Sequence, residues 1–234
     1  MNSSQKTFIG FVGARKGSKG LPGKNKLLLD GEPLFLIALN KLRKAGLEEI
    51  IFSSDCRDML EIADGHGYDC VERPAEFAND VARIPEEIIR ITNSCKIEKD
   101  FVVSVPPTSP LLRVDSIMDA IKKINITSQY DSCIAVTDWH GAFPGLAFYK
   151  DKNDQLLNVG NELGIETYPR QNRIKFKQNS GSFYIRNLTK MKTGKVQMAD
   201  NWLGTKILYQ EITEIEAINI DTHDDWNKVQ EILK

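Results

Sequence analysis

The chain alternates between two hydrophobic patterns: short apolar runs of strand length, and longer segments whose apolar residues recur every three to four positions. The short runs predict strands over Thr7–Val12, Glu49–Ser53, Asp69–Arg73, Phe101–Val105, Ser132–Thr137, Ser182–Ile185, Lys206–Gln210 and Ala217–Ile220. The longer segments predict helices after Pro33, over Asp58–Ala63, Pro85–Ser94 and Asp115–Ile124, and at the C-terminus with Trp226, Val229 and Leu233 on one face. Strands and helices in this order predict an α/β fold with a doubly wound, mostly parallel sheet.

The pattern changes between Trp139 and Arg173, where glycines, prolines, aromatic and polar residues mix without a helical period. We interpret residues 139–173 as a hairpin-rich excursion or subdomain within a single domain of residues 1–234, because its apolar side chains require burial. Those side chains are Phe143, Leu146, Phe148, Leu156, Leu157 and Tyr168.

Composition excludes several classes of protein. The 31 Lys and Arg residues balance 32 Asp and Glu residues, so the chain lacks the basic excess of a general nucleic-acid binder. No apolar run approaches the ~20 residues of a membrane span, and the first residues do not follow the pattern of a signal peptide. The cysteines are scattered without metal-ligand spacing, which predicts free thiols in a cytoplasmic protein: Cys56, Cys70, Cys95 and Cys133.

Glycines and cations share the loop that follows the first predicted strand: Gly13, Arg15, Lys16, Gly17, Lys19, Gly20, Gly23 and Lys24. Glycines let the backbone approach a ligand closely, and successive N–H groups with cations suit a polyphosphate. The carboxyl end of a strand is also where α/β sheets bind ligands. The spacing matches neither GxGxxG nor GxxxxGK[ST], which argues against a dinucleotide dehydrogenase and a P-loop NTPase.

Several longer motifs follow that loop in one order. They are ARKGSKGLPGKN, IIFSSD, RPAEFANDVA, PTSPL, YPRQ, SGSFYI and INIDTHDDW. Through these motifs the chain resembles the acylneuraminate cytidylyltransferases, the family of CMP-sialic acid and nonulosonic acid synthetases. The resemblance implies a nucleotidyltransferase fold similar to GT-A and the transfer of CMP from CTP to the anomeric hydroxyl of a sialic, legionaminic or pseudaminic-type acid. It also implies release of pyrophosphate, use of Mg²⁺, and a homodimer in which residues 139–173 pack against the second copy.

The resemblance assigns site residues position by position. It implies catalytic roles for Arg15, Lys24 and Asp221, and nucleotide contacts from Ala14, Arg15, Ser18, Lys19, Asn25, Arg73 and Ala82. It implies sugar contacts from Thr108, Ser109, Arg170, Gln171 and Trp202, and a metal site at Asn219 and Asp221. Structural alternatives stay open for three of these residues: a surface ion pair for Arg73, a helix-start residue for Asp221 and a core tryptophan for Trp202.

The chain departs from the family pattern in the sugar half of the site. Pro106 stands where the family has Gln, Asn219 replaces the first Asp of the metal motif, and Gly145 and Leu146 stand near the place of a basic residue. Fewer polar groups predict a pocket that prefers a less hydroxylated acid of legionaminic or pseudaminic type. Two other readings stay open: a catalytically weak nucleotide-binding relative, or a transferase that uses another NTP on a sugar phosphate.

Overall fold

The structure is a computed structural model that describes residues 5–18, 20–79, 81–127, 129–194 and 202–234. In chain order its strands are β1 (Phe8–Ala14), β2 (Leu28–Leu29), β3 (Glu32–Pro33), β4 (Ile50–Ser54), β5 (Asp69–Glu72), β6 (Phe101–Ser104), β7 (Ser132–Asp138), β8 (Phe148–Lys150), β9 (Leu156–Asn158), β10 (Lys177–Asn187) and β11 (Ile207–Glu211). The helices are α1 (Leu34–Lys44), α2 (Arg57–Gly65), α3 (Ile84–Ser94), α4 (Val114–Ile126), α5 (Val159–Glu162), α6 (Leu188–Lys192) and α7 (His223–Ile232).

Within the described residues, seven strands form one sheet in the order β11-β7-β10-β6-β1-β4-β5. β1 runs parallel to both β4 and β6, β4 is parallel to β5, and β11 is parallel to β7. β10 is antiparallel to β6, with Tyr184 opposite Ser104 and Arg186 opposite Val102. The doubly wound, mostly parallel sheet expected from the sequence is confirmed.

Helices cover both faces of this sheet because successive side chains of a strand point to opposite faces. On β1, Val12 packs in one core cluster with Phe35 and Leu39 of α1. Ile9 and Phe11 pack in a second cluster that includes α3 side chains. The near-continuous apolar run of β1 is therefore that of a strand buried on both faces.

The strand expected over Ala217–Ile220 does not form. Residues 214–217 make a turn in which the Glu216 carboxylate accepts hydrogen bonds from the backbone N–H and the hydroxyl of Thr213. The following residues lie outside the sheet, and the Ile220 N–H donates to the Thr108 carbonyl over 2.8 Å. A turn held by side-chain hydrogen bonds and a single backbone bond to a loop thus take the place of the ladder that the alternating apolar pattern favoured.

Residues 137–178 form a compact unit of their own, separate from the unit made by the rest of the chain. A short hairpin pairs β8 with β9, and Phe143 packs edge-on against Phe176. The expectation that the apolar side chains of this region are buried is wrong for several of them within the single chain. Exposed are Leu146, Phe148, Leu156 and Tyr168, the last of which is 86% exposed.

The cysteines are free thiols, of which Cys56 and Cys133 are buried, Cys70 is half-buried and Cys95 is exposed. Burial raises the pKa of the Cys133 thiol to about 12 and that of Cys70 to about 11, so neither is a reactive thiolate at neutral pH. Among the helices in the described ranges, none is long and apolar enough to cross a membrane.

Candidate active site

The glycine-rich loop begins at a topological switch point of the sheet. After β1 the chain adds β4 and β5 on one side and then places β6 on the other side of β1. The connections therefore diverge between the carboxyl ends of β1 and β6, and they leave a crevice there. The loop after Ala14 and the segment Pro106–Thr108 both border this crevice.

Hydrogen bonds and close backbone packing fix the loop. The Lys16 N–H donates to the Asp55 carboxylate over 2.6 Å, directly after β4. The buried Asn25 amide donates to the Arg15 carbonyl over 2.9 Å. At Gly20 a Cβ atom would lie 2.4 Å from the Asp221 carbonyl oxygen, so only glycine lets the loop pass so close to this backbone.

The loop forms one wall of a cavity of about 290 Å³, which we call the cradle. Arg15, Ser18, Lys24 and Asn25 line this wall, and Ala82 and Thr108 are among the residues of the facing walls. The structure thus brings these six predicted residues together around one space. Ala14 ends β1 as a buried core residue, and Lys19 lies outside the described residues.

Arg73 reaches the same cradle from a buried position behind the loop. Its Nε donates to the Ser53 hydroxyl over 3.4 Å and lies 3.9 Å from the Glu87 carboxylate. Burial lowers the pKa of Arg73, and the negative charge of Glu87 opposes that shift. A Cβ atom on Gly13 would lie 2.3 Å from Nη2 of Arg73, so a glycine in β1 makes room for this guanidinium. The surface ion pair considered from the sequence is therefore not the role of Arg73.

Glu87 holds the Arg73 guanidinium through a buried network. Its carboxylate accepts hydrogen bonds from the Ser53 hydroxyl over 2.7 Å, and from the Nε and Nη2 of Arg90 over 2.7 and 2.8 Å. The charge-assisted bonds from Arg90 raise the pKa of that arginine. Sequence reasoning missed Glu87, although a carboxylate in the apolar stripe of α3 between Ile84 and Ile88 is a usable signal of a buried partner.

Lys24 and Asp221 meet at the open side of the cradle. The Lys24 Nζ lies 2.8 Å from the Asp221 carboxylate, with the lysine side chain 11% exposed and the aspartate side chain 71% exposed. At the start of α7, Thr222 is the N-cap and Asp225 completes the capping box, and Asp221 contributes only its backbone N–H, which donates to the Asp225 carboxylate over 3.0 Å. The exposed Asp221 carboxylate takes no part in starting the helix and has Lys24 as its partner.

Asn219 takes a different place from the one expected of a metal ligand. Its amide oxygen accepts a hydrogen bond from the Ser109 hydroxyl over 2.6 Å, and its amide nitrogen donates to the Ser180 and Ala217 carbonyls over 2.7 and 3.1 Å. The side chain joins three segments of the fold. Ser109 is likewise buried in this contact, so the sugar contact expected of it is replaced by a structural one.

The remaining predicted sugar residues are Trp202, Arg170 and Gln171. Trp202 is 7% exposed and packs in the core cluster of Ile88, Ile91, Leu188 and Met191. Trp202 is therefore a core tryptophan, the alternative that the sequence had left open. This corrects the expectation that its ring forms a wall of the sugar pocket. Arg170 and Gln171 are exposed residues of the unit at 137–178, where Arg170 borders a cavity with Trp139 and Phe143.

A second cavity of about 270 Å³ shares Gly13, Ile84 and Pro106 with the cradle. Most of its lining is apolar, and its polar side chains are Arg83, Ser104, Tyr184 and Arg186. Sequence reasoning did not single out Ser104 or Arg186, since each lies in an apolar run that reads as an ordinary strand.

One carboxylate at the cradle suits a magnesium ion that arrives with a nucleotide. Mg²⁺ in proteins is commonly held by one or two carboxylates together with substrate phosphates and water. In the described parts of the chain no three His, Cys, Asp or Glu side chains form a metal cluster. The exposed Asp221 beside the cationic loop is thus the group that fits the ion.

Comparisons with known proteins identify the family of the chain. The sequence profile of the family described as cytidylyltransferase matches residues 9–188. A CMP-N,N'-diacetyllegionaminic acid synthase of Legionella pneumophila is 28% identical over an alignment of 239 positions, which covers 97% of this chain and 96% of that protein. An N-acylneuraminate cytidylyltransferase of Streptococcus agalactiae serotype III is 26% identical over 222 residues, 93% of this chain. The chain spans only 51% of the length of that streptococcal relative.

Two solved structures share the fold. The CTP complex of CMP:2-keto-3-deoxy-manno-octonic acid synthetase superposes with a TM-score of 0.72 at 13% identity, over 97% of this chain and 98% of that one. The 4-diphosphocytidyl-2C-methyl-D-erythritol synthase of Anaerococcus prevotii superposes with a TM-score of 0.61 at 10% identity, over the same shares of the two chains. The nucleotidyltransferase fold expected from the sequence is therefore confirmed.

Proposed function

The chain belongs to the cytidylyltransferase family, and on that premise we propose that it transfers CMP from CTP to the anomeric hydroxyl of a nonulosonic acid. The observation that carries the proposal is the cradle at the switch point, where loop glycines, Arg15 and Lys24 surround one cavity. This arrangement matches what a nucleoside triphosphate requires, namely N–H donors, cations and close backbone approach.

Each part of the nucleotide has a matching part of the cradle. Arg15, Ser18 and Lys24 bind the triphosphate, because they project from the loop into the cavity. Arg73 and Ala82 line the side on which the base is bound, and Glu87 holds the Arg73 guanidinium there. Asn25 acts indirectly, since its amide braces the loop at the Arg15 carbonyl.

The reaction is a displacement at the α-phosphorus. The anomeric oxygen forms a bond to the α-phosphorus, the bond to the bridging oxygen breaks, pyrophosphate takes that electron pair, and the hydroxyl proton passes to solvent. Lys24 and Arg15 stabilise the charge that develops on the phosphate oxygens. A Mg²⁺ ion held by Asp221 and the triphosphate would neutralise further charge. Lys24 lies 2.8 Å from the Asp221 carboxylate, and with an ion held at that carboxylate the charge of Lys24 would act on the phosphates instead.

We propose that the acceptor is bound in the cavity that adjoins the cradle, which we call the acceptor cavity, and that a legionaminic or pseudaminic-type acid is the preferred acceptor. Pro106 offers no side-chain hydrogen bond at the border of the two cavities. Phe11, Ile84 and Val105 add apolar surface. A pocket of this kind tolerates a deoxy, acylated sugar better than a fully hydroxylated one. The similarity to the Legionella synthase supports the same choice.

Pyrophosphate release tests the proposed function directly. Purified protein is assayed with each of CTP, UTP, ATP and dTTP, with Mg²⁺, against N,N'-diacetyllegionaminic acid, a pseudaminic acid and N-acetylneuraminic acid. We expect turnover with CTP alone and the highest kcat/KM for the legionaminic or pseudaminic acid. Binding of CTP without turnover on any acid would favour a nucleotide-binding relative. Turnover of UTP or dTTP on a sugar phosphate would favour the other transferase.

We also propose that the protein acts as a homodimer in the cytoplasm. The unit at 137–178 carries exposed aromatic side chains, among them Trp139, Phe148 and Tyr168, and such residues are enriched in interfaces. A second copy of the chain would bury them. The free cysteines suit a reducing compartment.

A further inference from the structure

A buried guanidinium lies in the wall of the mostly apolar acceptor cavity. Arg186 is 2% exposed, and its Nη1 donates to the Ser104 hydroxyl over 3.1 Å. Its Cζ lies 4.2 Å from the centre of the Tyr184 ring, a cation–π contact that fixes the plane of the group. Burial lowers the pKa of Arg186 to about 10, so the side chain is still a cation at neutral pH. Arg186 is therefore a charged, directional hydrogen-bond donor in the wall of this cavity.

Strand register places this donor away from the phosphates. Tyr184 lies opposite Ser104 across β10 and β6, whereas Pro106, which borders the cradle, follows Ser104 by two residues. At about 3.3 Å per residue, Ser104, whose hydroxyl holds the guanidinium, lies about 7 Å before Pro106 along the direction of β6 and so farther from the cradle. The acceptor carboxylate is attached to the same carbon as the reacting hydroxyl and so stays near the cradle. A group that reaches Arg186 must come from a distant part of the acceptor.

An acylamino group suits this end of the cavity better than a hydroxyl. Its methyl group loses contact with water against apolar side chains such as Ile84 and Val105, which line the same space. Its carbonyl oxygen accepts a hydrogen bond from a guanidinium. A hydroxyl oxygen is a weaker hydrogen-bond acceptor than an amide carbonyl oxygen, and a hydroxyl group would leave the apolar wall uncovered.

We infer that Arg186 is a specificity-determining residue that donates to the carbonyl oxygen of the distal acylamino group of the acceptor. Through this bond the cavity selects acids that carry an acylamino group in the side chain over acids that carry hydroxyls there. The inference rests on the proposed function, because it requires a nonulosonic acid as the acceptor.

Steady-state kinetics of Arg186→Gln and Arg186→Lys test the inference. Pyrophosphate release is measured at saturating CTP with N,N'-diacetyllegionaminic acid and with N-acetylneuraminic acid. We expect Arg186→Gln to raise KM for the diacetylated acid about tenfold or more, the loss of one charge-assisted hydrogen bond. KM for CTP and for N-acetylneuraminic acid should stay within about twofold, and Arg186→Lys should recover part of the preference. Arg113→Gln, at an exposed arginine outside both cavities, is the matched control.

Two results for Arg186→Gln would overturn the inference and leave the proposed function intact. One is an equal rise in KM for both acids, and the other is an unchanged ratio of kcat/KM between the two acids. Where Arg186→Gln fails to fold, Arg186→Lys and Ser104→Ala carry the same comparison, because Ser104 holds the guanidinium in place. Ser104→Ala should then lower the preference for the diacetylated acid by a smaller factor than Arg186→Gln would, and an unchanged preference would overturn the inference. Absence of turnover by the wild-type protein with every acid would instead overturn the proposed function, and the inference with it.

Discussion

The hydroxyl of Ser109 donates to the amide oxygen of Asn219 over 2.6 Å, while the amide nitrogen of Asn219 donates to the Ser180 and Ala217 carbonyls. An asparagine fits this position because one end of the amide accepts and the other donates. An aspartate at this position would instead direct a carboxylate oxygen, which cannot donate a hydrogen bond, at the Ser180 and Ala217 carbonyl oxygens. The residue that departs from the metal motif of the family thus has a structural reason to be an amide.

Asn219→Asp should therefore destabilise the protein. We expect the free energy of unfolding to fall by about 1–3 kcal/mol, since two carbonyl groups lose their donor. Urea unfolding measures the change. Asp221→Asn, at the exposed neighbour, is the control and should shift stability by about 0.5 kcal/mol or less. Unchanged stability of Asn219→Asp, with a lower Mg²⁺ requirement, would restore Asn219 as a metal ligand.

Two glycines outside the tip of the loop give a matched pair for the role of Arg73. Gly13→Ala would place a Cβ atom 2.3 Å from the Arg73 guanidinium and 2.9 Å from Ile84, whereas a Cβ atom on Gly65, at the end of α2 and outside both cavities, would meet nothing within 4 Å. We expect Gly13→Ala to displace Arg73 and weaken CTP binding about tenfold or more, the scale of one charge-assisted contact. Calorimetric titration with CTP measures both variants. Equal affinities for Gly13→Ala and Gly65→Ala would remove Arg73 from the nucleotide site.

The role of Asp221 predicts a change in magnesium dependence. Asp221→Asn removes the carboxylate at the open side of the cradle, and we expect the Mg²⁺ concentration for half-maximal turnover to rise about tenfold or more. Stability should barely change, because a pair with one exposed partner contributes about 0–1 kcal/mol. A Mg²⁺ titration of pyrophosphate release decides the matter. A curve that coincides with that of the wild type would contradict the metal assignment.

We expect the Glu216 carboxylate to contribute to the loss of folding stability in acid. Burial raises the pKa of Glu216, but hydrogen bonds from Ser116, Thr213 and Arg113 outweigh it, so the net pKa lies below the ordinary value. The ionised Glu216 carboxylate therefore contributes its full stabilisation above about pH 4.3, the pKa of a glutamate in the unfolded chain. This contribution is lost as pH falls through the lower pKa of Glu216 in the folded protein.

Glu216→Gln should lower stability at pH 7 by about 1–3 kcal/mol and flatten the fall in stability below about pH 4.3. Urea midpoints across the acid range measure both effects. Glu231→Gln, at an exposed position on the C-terminal helix, is the control and should follow the wild-type curve. A Glu216→Gln profile parallel to that of the wild type would show that the carboxylate does not contribute to acid sensitivity.

The exposed aromatics of the unit at 137–178 predict dimerisation. Light scattering should give twice the 26.4 kDa of one chain, and Phe148→Glu with Tyr168→Glu should shift the protein toward the monomer. Ile126→Glu, at an exposed apolar residue outside this unit, should leave the mass unchanged. A wild-type mass of one chain at micromolar concentration would contradict the dimer.

The sequence by itself determined the alternation of strands and helices and the position of the glycine-rich loop after the first strand. Both depend on local properties, namely the spacing of apolar residues and the special conformations of glycine. The motifs around Arg15, Arg73 and Asp221 also located the residues of the cradle, because each motif borders the end of a predicted element.

Only the tertiary structure decided which polar side chains face a cavity and which hold the fold together. The Ser109–Asn219 contact joins residues 110 apart in the chain, and the Arg186–Ser104 contact joins residues 82 apart. Neither contact leaves a local pattern, since each joins segments that meet from distant parts of the sequence. The role of Trp202 also depended on the tertiary structure, because an aromatic side chain can pack in a core or against a ligand. In the structure Trp202 packs against side chains of α3 and α6 and is a core residue.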